Sequence, residues 1–452
     1  MADPSSSAPA AASAPSSTVP KPPKPVQQNQ AFRMLGLPVF PRKLPSRNWM
    51  IFWTVSTTIT GAIIYDRREK KRATARWAHA VSHLANEPLP SPSAMPRKLT
   101  IYLQAPPGDG LRIAQDHFTE YVKPVLAASG LDWDFVQGRM QGDVRAVVAE
   151  RVRRARRNTE ADIGGKDSAI ETSLQTEDDA VETWRRKNNV PEFEGVRGDI
   201  VIGRHTWKEY IRGLHEGWLG PLAPPPEPEP ELPPAIENSE SEGEKAEEKP
   251  KRPPQIKPYN SVEDYSTAHL PLLIPSELTP STPIPFPHIL GFLNTPIRTY
   301  RYFTQRRLAD EIGREVAAVC LGTYREFRQA DNVATTTEEQ WEQQTALAHE
   351  EQNWVKSTWK EEETTVDDAK PTAETPKTEK IWPRPVVMDP RVAMRMRRFE
   401  LLPEDEERAR QIVIPEEEIE GWIKGNLRHI WRWGAGKFSK EKKTIPLDDE
   451  AE

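Results

Sequence analysis

A glycine-rich turn that opens a helix can cradle a phosphate, because free N–H groups and the positive end of the helix dipole meet there. The stretch Ala105-Pro106-Pro107-Gly108-Asp109-Gly110 follows the strand-like RKLTIYLQ and precedes the helical LRIAQDHF, so Gly108 and Gly110 are the first candidates. Two prolines remove two donors and Asp109 repels an anion, and the stretch fits a plain turn better than a phosphate cradle. It matches neither the dinucleotide fingerprint nor the Walker loop. His79 and His83 stand four apart, the helical spacing for two metal ligands, but no third ligand is near and a solvated pair is the simpler reading. The basic run Arg151–Arg157 could meet anionic lipid or form a wet helix face. No G-x-S-x-G elbow places a serine at a strand-to-helix turn. The single cysteine, Cys320, excludes an intrachain disulfide and a cysteine-built zinc site. No cofactor or metal is expected.

The bulk composition narrows the classes further. With 45 prolines in 452 residues, much of the chain is not core. Lys+Arg 62 against Asp+Glu 68 leaves a net charge of -6, too balanced for the long basic face that nucleic acid requires. Fourteen tryptophans are many for so polar a chain and suit partner surfaces and bilayer interfaces. Trp422, Trp431 and Trp433, interleaved with Arg428, Arg432 and Lys437, could anchor on a membrane or a partner, or pack back onto the domain.

The elements that must position these residues follow from periodicity. RKLTIYLQ predicts a strand, and LRIAQDHFTEYVKPVLAASG a helix through Ile113, Phe118, Val122, Val125 and Leu126 that stops at Gly130. LDWDFVQG predicts a second strand, GDVRAVVAERVRRARR a helix with Val144, Val147, Val148 and Val152 inward, and GDIVIGRHTW a third strand. Alternating strands and helices imply a parallel sheet covered on both faces. Later, a helix carries Leu308, Ile312, Val316 and Val319, another helical stretch holds Trp341, Trp354 and Trp359, and RVAMRMRRFEL reads as a strand.

Asn48 to Tyr65 is eighteen residues without a charge. As a helix it would run about 27 Å, close to the roughly 30 Å of a hydrocarbon core. Four threonines make it only moderately apolar, and a buried core helix is the alternative. Spanning is favoured by Trp49, Trp53 and Tyr65 near the ends, and by Arg42, Lys43 and Arg47 before and Arg67, Arg68, Lys70, Lys71 and Arg72 after. Phe52 and Ile63 complete the expected anchor, and Thr57 with Gly61 forms a small-xxx-small pair on which another membrane helix could pack. The charge bias alone weakly places the C-terminal part on the cis side.

The order RKLTIYLQAPPGDGLRIAQDHFTEYVKPVLAASGLDWDFVQGRMQGDVRAVVAE resembles the N-terminal half of a diacylglycerol-kinase-type domain, notably acylglycerol kinase. In those enzymes the next strand leads into a GGDGT loop that holds nucleotide phosphates. Here Gly203, Arg204, His205, Thr206 and Trp207 take that place, so at most one glycine remains, the aspartate has no counterpart, and the bulky side chains crowd a triphosphate. The resemblance implies a kinase scaffold without its site. A membrane-anchored lipid kinase with a diverged nucleotide loop is the alternative.

The whole arrangement is similar to the large-subunit family of the fungal mitochondrial carrier translocase, through RMLGLPVFPRKLPSRNWMIFW and HILGFLNTPIRTYRYFTQRRLADEIGREVAAVCLG. That family implies an inner-membrane, single-pass, non-catalytic scaffold with its N-terminus in the matrix and its C-terminal domain in the intermembrane space. The implied partners are the channel-forming and other subunits, small intermembrane-space chaperones, membrane lipids and an inner-membrane protease. The expected architecture is α/β: a disordered tail at 1–41, an anchor at 42–66 and a basic stem with a proline hinge at 67–96. A kinase-like parallel-sheet domain at 97–220 with an insertion at 158–190 follows. An acidic linker at 221–258, a mixed α+β part at 259–438 and a tail at 439–452 complete the chain.

Overall fold

The computed structural model describes residues 46–88, 96–164, 195–224, 255–330, 340–359 and 379–419, with isolated positions between 184 and 193 and between 425 and 431. The expected tails at 1–41 and 439–452, and most of 158–190 and 221–258, lie outside the described residues. The chain divides into two compact units, residues 1–60 and 61–452.

Helix α1 (Arg47–Val81) runs for 35 residues from the uncharged stretch into the basic stem. Among the described residues no helix is long and apolar enough to cross a membrane. The expectation of a spanning helix is therefore met in helicity and not in apolarity, because Asn48, Ser56 and four threonines dilute the aliphatic residues. The stem packs on the domain, with Trp77 and Val81 buried in the same apolar cluster as Leu99 and Ile101, and the expected proline hinge lies, at 89–95, outside the described residues.

Strand β1 (Lys98–Gln104) opens the sheet. Helix α2 (Leu111–His117) continues through a π turn (Phe118–Val122) into α3 (Lys123–Ser129), which closes at Gly130 with φ 68°. Pro124 has no N–H to give the carbonyl four residues back, and the widened turn lies just before it. Ile113, on this helix, is exposed, while Phe118, Val122, Val125 and Leu126 are buried as expected. Strand β2 (Asp132–Gly138), helix α4 (Asp143–Gly164), strand β3 (Gly198–Ile202) and helix α5 (Arg204–Leu219) follow. The third strand thus ends at Ile202, and Arg204–Trp207, expected in the strand, open α5. On α4, Val144, Val148 and Val152 are buried and Val147 is exposed.

After the linker come β4 (Ser281–Ile284), α6 (Thr295–Tyr302), α7 (Gln305–Leu321), β5 (Tyr324–Glu326), the short ribbon β6 (Gln329–Ala330) and β7 (Gln340–Trp341), and β8 (Arg397–Phe399). Two expectations fail here. Trp341 ends β7, Trp354 follows a 3-10 turn (Ala348–Asn353) and Trp359 ends a four-residue helical turn (Lys356–Trp359), so the three share no helix, and only Arg397–Phe399 of RVAMRMRRFEL is strand.

The six-stranded sheet has the order β2-β1-β3-β4-β8-β5. All neighbours are parallel except β5, which is antiparallel to β8. Strands from both sides of the expected linker therefore build one sheet, and the segment after 259 is not an independent fold. Leu99, Ile101, Leu103, Ile200 and Ile202 pack on one face with α2, α3 and α7. Tyr102 and Val201 pack on the other with α4 and α5. Chain reversal from β1 to β2 on one side and to β3 on the other puts a topological switch point at the carboxyl ends of β1 and β3, where open parallel sheets bind ligands.

Helices α4 and α5 approach closely because α5 lacks two side chains. A Cβ on Gly213 would meet the Arg145 carbonyl at 2.7 Å, and one on Gly217 would meet Val152 Cβ at 2.5 Å. Between them Glu216 takes Arg145 and Arg153 into a buried ion triad. Four guanidiniums of the run Arg151–Arg157 are bonded within the fold. Arg151 bonds Tyr102 and Asp199, Arg153 bonds Glu216, Arg156 donates to the carbonyls of Gly217 and Gly220, and Arg157 pairs with Glu150. Gly217→Ala should therefore destabilise unit 61–452 by about 1–3 kcal/mol, whereas Gly61→Ala, with open space around it, should leave it unchanged. Denaturant unfolding of the full chain in detergent measures both, and equal midpoints would show that α4 and α5 can separate without cost.

Candidate functional site at the carboxyl edge of the sheet

Both expected phosphate loops reach the switch point. Gly108, with φ +90°, and Gly110 lie in the exposed turn after β1, and Gly203, with φ +87°, joins β3 to α5. The two edges are tied by the ring of His205, whose Nε2 donates to the Gln104 carbonyl at 3.1 Å. The Asp109 carboxylate lies 3.0 Å from His288 Nε2, and a Cβ on Gly108 would press on Val355 and Leu290. The first loop is thus closed down by side chains from beyond β4.

Two helix amino termini, those of α4 and α5, point into this edge, and each is taken by a carboxylate of the chain itself. Glu350 is 4% exposed. It accepts the Arg204 N–H at 2.9 Å and the Phe286 N–H at 2.6 Å, filling the anion position at the start of α5. Glu209 accepts the N–H groups of Gly142 at 2.9 Å and Arg145 at 3.4 Å at the start of α4, with Gln104 Nε2 at 2.5 Å and Trp382 Nε1 at 2.9 Å. Burial pushes each carboxyl up to about 7, against the lowering pull of these donors. A helix start that would hold a phosphate is here internally satisfied.

The first turn of α5 is spent on clamping distant chain. Arg204 donates to Glu351 at 2.6 Å and to the carbonyls of Ala346 and Gln344. Trp207 Nε1 donates to Gln343 O at 2.9 Å, and Lys208 donates to the carbonyls of Trp382 at 2.6 Å and Arg384 at 2.9 Å. The three buried histidines near this helix, His117, His205 and His215, are all pulled down to about 4 by desolvation, so they are neutral donors to carbonyls and not acid–base groups at neutral pH. Asp389 N–H gives a bond to His215 Nε2 at 3.0 Å, which fixes its other nitrogen as the donor to Ile211 O.

The remaining sequence candidates do not join this edge. His79 bonds Glu418 and His83 the Ala80 carbonyl. Among the described residues no group of three His, Cys, Asp or Glu could hold a metal ion. Trp49, Phe52, Trp53, Thr57, Gly61 and Tyr65 are exposed on α1, and Ile63 is half-buried. Trp422 and Trp433 lie outside the described residues, and Trp431 is exposed. A cavity of about 400 Å³ between α4, α5 and residues 271–279 is lined by Arg151, Tyr102 and Asp199, which bond one another. Sequence reasoning missed Glu350 and Glu209. Neither lies in a motif, and Glu350 is 146 residues from the N–H it caps.

The chain matches the family described as inner membrane protein import complex subunit Tim54 over residues 29–247 and 233–399. It is 58% identical to the mitochondrial import inner membrane translocase subunit tim54 of Neurospora crassa, over 94% of this chain and 92% of that protein. It is 42% identical to the subunit of that name from Aspergillus oryzae, over 91% and 98%. Against the Saccharomyces cerevisiae translocase subunit TIM54 the identity is 27%, over 85% and 96%. These relatives are named as components of a transport complex and not as enzymes. The filled carboxyl edge belongs to a mitochondrial inner-membrane import subunit, and the chain belongs to the Tim54 family.

Proposed function

We propose that this subunit is a non-catalytic scaffold of the translocase that inserts multi-pass carrier proteins, organising the complex and docking small intermembrane-space chaperones. The observation that carries the non-catalytic half is Glu350 at the start of α5. A carboxylate already bonded to two N–H groups excludes a phosphate from the one position where a kinase-like sheet would bind it. Binding, not chemistry, is what the edge is built for, since α5 holds the segments around 344–351 and 382–384 in place.

Anchoring is the second half of the proposal. The helix around Trp49–Tyr65 turns its aromatics outward, and its threonines are self-satisfied. Thr57 donates to Trp53 O at 2.7 Å, Thr58 to Thr54 O at 2.7 Å and Thr60 to Ser56 O at 2.8 Å. A hydroxyl bonded to its own helix costs less to place in lipid than averaged hydropathy assigns it. With nothing within 4 Å of a Cβ on Gly61, a neighbouring helix can come close there. In this reading the chain is single-pass, with the N-terminus in the matrix and residues 61–452 in the intermembrane space. There it contacts channel-forming subunits, chaperones, lipid and an inner-membrane protease.

Two outcomes are expected. Titration of the purified chain with ATP and magnesium should give no saturable binding; micromolar, magnesium-dependent affinity would revive a lipid kinase with a diverged loop and sink the non-catalytic reading. In isolated mitochondria a C-terminal tag should be lost to protease only after the outer membrane is ruptured. A tag protected until the inner membrane is dissolved would place the large unit in the matrix and end the chaperone-docking role.

A further inference from the structure

Between Gly291 and Arg307 the chain carries four arginines and no acidic residue. A 3-10 turn (Phe292–Asn294) leads into α6, none of whose residues is buried. Phe292 is 90% and Leu293 91% exposed, far more than an apolar side chain resting on its own core. Leu293, Ile297 and Tyr300 recur at i, i+4 and i+7, so they share one face of the turn and helix, with Arg298 and Arg301 to one side.

This segment is held beside the end of the uncharged stretch of α1. Asp66, the first charge after Tyr65, is buried and accepts the N–H groups of Gln305 at 3.1 Å and Arg306 at 3.4 Å, capping α7. Arg67 donates to the Tyr302 hydroxyl at 3.1 Å, and the Arg306 guanidinium lies over the Tyr65 ring at 5.1 Å. Lys70, also buried, bonds Tyr121 at 2.9 Å and Gln305 at 3.2 Å. These bonds fix α6 at the level of Tyr65.

We propose that Gly291–Tyr302 is a bilayer-contacting element lying in the headgroup region, with Phe292, Leu293, Ile297 and Tyr300 at the acyl boundary and Arg298, Arg306 and Arg307 facing anionic phosphates. The occupant is lipid, on two grounds: the cationic, acid-free flank complements a negative leaflet, and Tyr65 marks where an anchor helix would leave the hydrocarbon. The inference rests on the anchoring reading above. Its consequence is a membrane contact within unit 61–452 itself, fixed beside Tyr65, which restricts the orientation of that unit's sheet to the membrane.

The test uses the full chain reconstituted in phosphatidylcholine vesicles with and without phosphatidylglycerol, labelled with a polarity-sensitive dye through Leu293→Cys or, separately, Phe52→Cys. The native Cys320 is buried, and burial pushes its thiol up to about 11, so it stays unlabelled. Expected are a blue shift and quenching by lipid-borne quenchers at both positions. The Leu293 signal should be larger with the anionic lipid and reduced by Arg298→Gln with Arg307→Gln or by high salt, while the Phe52 signal is unmoved. A dye at position 52 in lipid with one at 293 in water would overturn the interfacial element and leave the anchor standing. Both dyes in water would remove the anchor reading and this inference together. A 293 signal that shifts only when the other translocase subunits are added would assign the face to a partner helix and overturn the lipid assignment.

Discussion

A helix buried on every side must find an internal partner for each polar group it carries, and α5 imposes that demand on the rest of the chain. All sixteen of its residues are buried, although arginine, lysine, glutamate and histidine recur along it. An unpartnered buried donor or acceptor costs about 1–3 kcal/mol, and a lone buried charge more. Four of its charged side chains are met by distant groups: Arg204 by Glu351, Lys208 by two carbonyls near 383, Arg212 by Glu379 and Asn260, Glu216 by Arg145 and Arg153. These partners come from α4 and from three separate stretches after the linker. The sheet and its covering layers are completed only when the chain on both sides of the linker is in place.

The same demand explains how the carboxyl edge differs from a ligand site. In an open parallel sheet the helix starts at the switch point face solvent and await an anion. Here Glu350 and Glu209 supply the anions from within, and His205, Phe286 and Leu290 occupy the space beside them. Where an open sheet would take an exchangeable phosphate, this edge carries a fixed joint, because an intramolecular carboxylate pays no entropy of association.

The stem follows related logic. Trp77 donates to Asp310 at 2.7 Å and packs where Gly313 leaves room, and Asp66 and Lys70 are buried beside the first turn of α7. Displacement of residues 66–81 is thereby carried straight into the central cluster. Gly213 and Gly217 do for α4 and α5 what Gly313 does for the stem: each omits a side chain where a neighbour must come close.

Local pattern was enough for much of this. Alternation in KLTIYLQ, the all-apolar IVI of β3 and the glycine stop at Gly130 placed the first three strands and the helix between two of them, because those features depend only on which side of a short segment meets water. That Arg204 and His205 stand where a kinase-type loop has glycines came from the resemblance and not from local pattern. Strands of three or four residues, such as β4, β5 and β8, carry no period to read and exist because a neighbouring edge was open to them. Whether Val147 faces in or out, where the run of arginines after Arg151 ends up, and that Glu350 rather than solvent caps α5 were decided by tertiary contacts. Periodicity records one segment's preference for water, whereas a buried charge is settled by whichever distant group arrives to offset its desolvation.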